Sequence, residues 1–75
     1  MKLSYKDQRD YDLLPQRIEE LDAAIAEGEE ALADPDLFSR DPGRFDRVMK
    51  ALETARAEKE AAEERWLALA GMVEG

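Results

Sequence analysis

Nearly all the side chains able to do chemistry in this 75-residue chain are carboxylates, arginines and lysines, because it holds neither histidine nor cysteine. That removes disulfides, zinc sites of the usual type and histidine-based acid–base catalysis. Ser4, Ser39 and Thr54 have no imidazole to activate them as nucleophiles. Adjacent acids occur at Glu19/Glu20, Glu29/Glu30 and Glu63/Glu64. Paired carboxylates hydrolyse sugars only in a cleft that drives their pKa values apart, and these pairs read as solvated helix faces. Asp34, Asp36 and Asp41 lack the alternating acids, central glycine and terminal glutamate of a calcium loop. Gly43 and Gly71 stand alone, so no phosphate-cradling loop is present. The expectation is no catalytic residue, no metal ligand set and no cofactor site in this segment.

The cations are more suggestive. Arg40, Arg44, Arg47 and Lys50 fall within one short stretch, with Arg40, Arg44 and Arg47 spaced four and three apart. If that stretch is helical they share a face suited to phosphate contact. The competing reading is neutralisation of residues 19–36, which carry eight acids and no base. A net charge of -8 argues against whole-surface attraction to nucleic acid or anionic membrane.

Two apolar stripes define the elements that must position these residues. The first runs Tyr11, Leu14, Ile18, Leu21, Ile25, Gly28, Leu32 and the second Phe45, Val48, Leu52, Ala55, Lys59, Ala62, Trp66, Leu69, Val73. Spacings of three and four alternate throughout, which is a heptad seam and not the period of two of a strand. The predicted fold is all-α: an antiparallel two-helix coiled-coil hairpin. Its core is Leu14, Ile18, Leu21, Ile25 and Leu32 against Phe45, Val48, Leu52, Trp66 and Leu69. Gly28 reads as a point of close helix approach, facing Leu52 or Phe45. Lys59 interrupts the seam, with its stem along the core and its ammonium in water.

Punctuation sets the boundaries. Ser4 with Asp7 resembles a capping box, so a short helix is predicted over about residues 4–13. Pro15 removes a hydrogen bond and disfavours helix at Leu14, which predicts a break there and a second helix over about 15–33. Asp34-Pro35 and Asp41-Pro42 each pair a capping acid with a proline suited to a first helical turn. Asp34 is assigned to a single turn in a connection over 34–41, with Leu37 and Phe38 folded back over the hairpin tip. Asp41 is assigned as the cap of a helix over about 42–70, ending near Gly71. Two registers remain open. One sets Ile25 by Val48 and allows Arg17–Glu58 and Asp10–Arg65. The other sets Leu32 by Val48 and Leu14 by Trp66, pairs Asp22 with Arg56, brings Arg17 towards Arg65, and is favoured by burial of Trp66.

No apolar h-region follows the first lysines, and no stretch approaches the ~20 apolar residues of a bilayer span. A single domain this small has a marginal core. Dimerisation into a four-helix bundle would enlarge it.

Three segments, in order, resemble the C-terminal coiled-coil domain of ABC-F ATPases of the Uup type. They are Lys2-Leu3-Ser4-Tyr5-Lys6-Asp7-Gln8-Arg9 with Leu14-Pro15-Gln16-Arg17-Ile18-Glu19-Glu20-Leu21, then Asp34-Pro35-Asp36-Leu37-Phe38 with Arg40-Asp41-Pro42-Gly43-Arg44-Phe45, and last Ala62-Glu63-Glu64-Arg65-Trp66-Leu67. The resemblance implies a cytoplasmic parent protein with two ATP-binding cassettes, using ATP and magnesium, of which this chain is an excised accessory domain. It further implies contact with DNA or the ribosome, which would fall to Arg40, Arg44, Arg47 and Lys50. Docking on the parent cassettes or self-association is the alternative role.

Overall fold

A computed structural model describes residues 3–74. Met1 and Lys2, the latter part of the first resembling segment, lie outside the described residues. Three helices follow one another: α1 (Tyr5–Leu32), α2 (Leu37–Arg40) and α3 (Pro42–Glu74). The long helices α1 and α3 pack side by side, and α2 forms the tip between them. The rod measures 55 × 15 × 14 Å. The antiparallel order is fixed by ion pairs that run in opposite directions along the two helices: Asp7 with Arg65, Arg17 with Glu58, Glu29 with Arg56.

Capping starts both long helices. The Asp7 N–H donates to Ser4 Oγ at 3.2 Å, and the Arg44 N–H donates to Asp41 Oδ1 at 3.0 Å. Each satisfies a donor that the first turn leaves without a helical partner. The Asp7 carboxylate does not close a reciprocal box; it pairs with Arg65.

The predicted break near Pro15 does not occur: α1 is one helix of 28 residues with Pro15 inside it. A mid-helix proline costs about 3 kcal/mol in isolation, but α1 is held to α3 on both sides of it. Tyr11 stacks on Trp66 before the proline, and Leu14 and Ile18 join the core around it. Pro15 itself is exposed. Tertiary contacts therefore override the local preference. The predicted stop near Gly71 is also corrected, since α3 continues to Glu74. Glycine ends a helix by turning left-handed, and none of the described glycines has positive φ.

The connection differs in two details. Asp34 caps the turn that precedes α2, not α2 itself: its Oδ1 accepts the Asp36 N–H at 2.9 Å, and Asp36 occupies the cap position of α2. Leu37 folds back, with 3% of its surface exposed, but Phe38 points outward and keeps 63%. A four-residue helix turns only one of two successive side chains inward.

The core is thin. Leu21, Ala55 and Ala62 form its centre, with Leu14, Ile18 and Ile25 packed around them. Leu37, Leu52, Leu69 and Ala70 are buried too, with Leu69 fully enclosed. Each buried leucine contributes roughly 1.5–3 kcal/mol, and each alanine much less. Leu32, Phe45, Val48 and Trp66 are half-buried. Along the seam Gly28 falls opposite Leu52, the offset of the register that sets Leu32 by Val48. The flanking charges do not follow that register's predicted pairs. Arg17 and Arg65 reach Glu58 and Asp10, and Asp22 meets Lys59 instead of Arg56. Long side chains slant by a turn along the helix, so flank pairs do not share the seam's offset.

Candidate functional site: the hairpin tip

The ion pairs divide the cations of the described residues into three groups. Arg17, Arg56, Lys59 and Arg65 bridge α1 and α3 along the shaft. Arg40 and Lys50 are held within the tip region, Arg40 to Asp34 at 2.8 Å and Lys50 to Asp46 at 3.0 Å. Among the described residues, Lys6, Arg9, Arg44 and Arg47 have no carboxylate within 4 Å. Two of these four, Arg44 and Arg47, sit in the first turns of α3 beside the tip.

Local structure explains both placements. Asp41 and Pro42 start α3 at the point where α2 ends, so Arg44 and Arg47 fall three residues apart on neighbouring positions of one helix face. Arg47 lies over Gly43, where a Cβ atom would sit 3.3 Å from its Nη1. The tip turn is fixed from inside. Asp34 accepts both the Asp36 N–H and the Arg40 guanidinium. Those two bonds, the backbone one foremost, hold the Asp34 carboxyl below its usual pKa. On the shaft, the hydrogen bond to Asp22 raises the Lys59 pKa, and that to Asp7 raises that of Arg65.

An open groove of about 700 Å³ runs from the tip along one side of the hairpin, between Gly28 and Ala31 on α1 and Val48 and Ala51 on α3. Its α1 bank carries Glu27 and Glu30, and its tip end carries Arg40 and Arg44. At the tip, Phe38 meets Phe45 edge to face, centroids 5.2 Å apart at 84°.

The remaining candidates for chemistry stay apart. Glu19, Glu20, Glu29, Glu30, Glu63 and Glu64 are all exposed on helix surfaces. Among the described residues, no group of three or more carboxylates is placed to hold a metal ion. Among the described residues, no helix is long and apolar enough to cross a membrane. Sequence reasoning gathered Arg40, Arg44, Arg47 and Lys50 as one set. It missed that two of them are engaged by Asp34 and Asp46, and it missed the exposed ring of Phe38. The spacing of Asp46 and Lys50, four apart on a helix, was the signal available for one of those pairs.

The fold and tip together define a helical hairpin, two long helices packed side by side and joined by a short helical turn. The chain belongs to the ABC transporter C-terminal domain family, whose model matches residues 2–70. It is 56% identical over 68 residues to the ATP-binding protein Uup of Caulobacter vibrioides, covering 91% of this chain and 11% of that protein. It is 42% identical over 66 residues to the ATP-binding protein Uup-like of Haemophilus influenzae, covering 88% and 14%. With the ATP-binding protein Uup of Escherichia coli K12 it shares 36% over 74 residues, covering 99% and 12%. The chain thus spans about a seventh or less of the length of these relatives. No solved structure matches it.

Proposed function

We propose that this hairpin is the accessory C-terminal domain of a cytoplasmic ABC-F ATPase with two cassettes, and that its tip contacts the phosphates of nucleic acid, DNA or ribosomal RNA. ATP and magnesium would be bound and turned over in the parent cassettes, and this segment adds contact without catalysis. The supporting observation is the pair of guanidiniums, Arg44 and Arg47, that have no carboxylate partner at the tip of an otherwise acidic rod. Arginine presents a planar fork matched to phosphate oxygens. Arg40 and Lys50 stand beside them but must share their charge with Asp34 and Asp46, so they add long-range attraction more than direct contact.

Two phosphate contacts set the scale. Neutralising two phosphates of duplex DNA gives a slope of log K against log salt of about -1.8. Affinity should then fall roughly tenfold between 50 and 200 mM salt. Anisotropy of a labelled 20-base-pair duplex, titrated with the 75-residue chain across that range, tests the reading. A slope near zero, or no binding at low salt, would remove it.

The groove favours a second reading, a protein-docking hairpin. Its apolar lining, Ala24, Gly28, Ala31 and Ala51 beside Leu37, Val48 and Leu52, would admit a packed helix, from the parent cassettes or from a second copy of this chain. Sedimentation at increasing concentration separates these, since only the second copy raises the mass of the isolated chain.

A further inference from the structure

We propose that Phe38 is a stacking platform for an unpaired nucleobase, so that the tip takes single-stranded or looped nucleic acid in preference to duplex. This rests on the reading of the tip as a nucleic-acid contact and names the substrate class of that site.

The observation that carries it is the placement of one ring. Leu37 is almost fully covered, while its neighbour Phe38 keeps 63% of its surface exposed. Burying a phenylalanine side chain is strongly favourable, so a ring left out on a fixed turn forgoes a large gain. The turn is fixed. Leu37 anchors it, Asp34 ties Asp36 and Arg40, and the Arg40 and Asp41 N–H groups donate to Asp36 and Leu37 carbonyls at 2.8 Å. Phe38 is thus pointed outward by its backbone. Phe45 meets it at 84°, a contact that restrains the ring while leaving most of it open. A restrained ring loses little entropy when a flat ligand settles on it.

The charges at the same end of the rod select the ligand. Arg44 and Arg47 bracket Phe45 in sequence, so phosphate contacts and an aromatic surface lie at the same end of the rod. Aromatic platforms with adjacent cations are the usual means of holding single strands, because every base offers a π face once it is unstacked. In a duplex those faces are covered by neighbouring base pairs and Phe38 has nothing to meet. The shaft also works against a duplex lying along it. Glu27 and Glu30 line the groove behind the tip, and Glu29 and Asp36 are exposed nearby. Like charge on a phosphate backbone is repelled. A flexible strand or a loop can approach the tip end-on and avoid that repulsion.

The experiment measures the full 75-residue chain against a 20-nucleotide single strand and its duplex by anisotropy at 50 mM salt, with 2-aminopurine in the strand to report stacking. The expected result is tighter binding of the single strand, with a change in 2-aminopurine emission. Phe38→Ala should weaken single-strand binding by roughly 5- to 100-fold, abolish the emission change and leave duplex affinity and the salt slope unaltered. Phe38→Leu keeps an apolar side chain without a π face and should behave like Phe38→Ala. Phe38→Tyr should bind like the parent chain. Circular dichroism confirms folding of each variant. Equal affinity for both ligands overturns the proposal, as does an equal loss for both on Phe38→Ala, or retained stacking in Phe38→Leu. In those cases Arg44→Glu with Arg47→Glu still abolishes binding if the phosphate reading stands. If neither ligand binds the unsubstituted chain, both readings fall.

Discussion

Tyr11 and Trp66 lie face to face, ring centroids 5.5 Å apart and only 7° from parallel, and this stack clamps the first turns of α1 to the last turns of α3. It explains why a helix containing Pro15 does not break. The stack holds the residues before the proline, while Leu14 and Ile18 hold those around it. Trp66→Ala should destabilise the hairpin by about 3–5 kcal/mol at the upper limit for a core tryptophan, with Tyr11→Ala less severe. In a rod with so thin a core that loss should unfold most of the chain at 25 °C. Far-ultraviolet circular dichroism during urea unfolding checks it. The Trp66 ring nitrogen is buried without a hydrogen-bond partner, so Trp66→Phe should be far milder than Trp66→Ala.

Pro15 should be a net burden. The helix continues through it, so the residue withholds one backbone donor and strains the preceding turn without gaining a boundary in return. Pro15→Ala is expected to stabilise the chain by about 1–3 kcal/mol, read as a higher urea midpoint with an unchanged slope. A fall in the midpoint would show that the proline is needed where it stands.

Gly28 offers a second test of packing. A Cβ atom there would lie 3.2 Å from Leu52 Cδ1. That methyl is the far end of a side chain bordering an open groove, so it can yield by a few tenths of an ångström. Alanine in place of glycine within a helix is worth about 1 kcal/mol. Gly28→Ala should therefore raise stability by about 0.5–1 kcal/mol, while Gly28→Leu should lower it by overfilling the contact.

Much of this architecture was legible in the residues. The three-four spacing through Ile18, Leu21 and Ile25, answered by Val48, Leu52 and Ala55, leaves little but a helical hairpin, and Asp41-Pro42 marks the start of α3. What was not legible depends on contacts distant in sequence. Pro15 looked like a break because its local preference is strong and the Tyr11–Trp66 stack lies 55 residues apart. At the candidate site, the clustering of Arg40, Arg44, Arg47 and Lys50 could be read, but their division could not. Arg40 is engaged only because the turn returns it to Asp34. Phe38 looked like a cover for the tip because it and Leu37 are both apolar in an otherwise polar loop, and only the helical geometry of α2 separates the two.

The tip should loosen in acid. The Asp36 N–H and the Arg40 guanidinium lower the Asp34 pKa in the folded chain. A depressed folded pKa means that the contribution is complete above the unfolded carboxyl value near 3.9 and is lost as pH falls through the lower folded value. The tip turn is thus expected to be unaffected from pH 7 to about 5, and to open progressively below about pH 4. Chemical shifts of the Asp36 and Arg40 amides, followed through an acid titration, report this directly. Asp34→Asn should show the loosened shifts already at neutral pH.

The most direct test of the central claim, that the free arginines of the tip carry the contact, compares two double substitutions of equal charge. Arg44→Gln with Arg47→Gln removes the cations at the tip, and Lys6→Gln with Arg9→Gln removes those at the far end of α1. Affinity for a labelled single strand is measured for each at 50 mM salt. The tip pair should lower affinity at least tenfold and flatten the salt slope by about 1.4–1.8, while the far pair should change it less than twofold. Equal losses from the two pairs would contradict the account and assign binding to net charge alone.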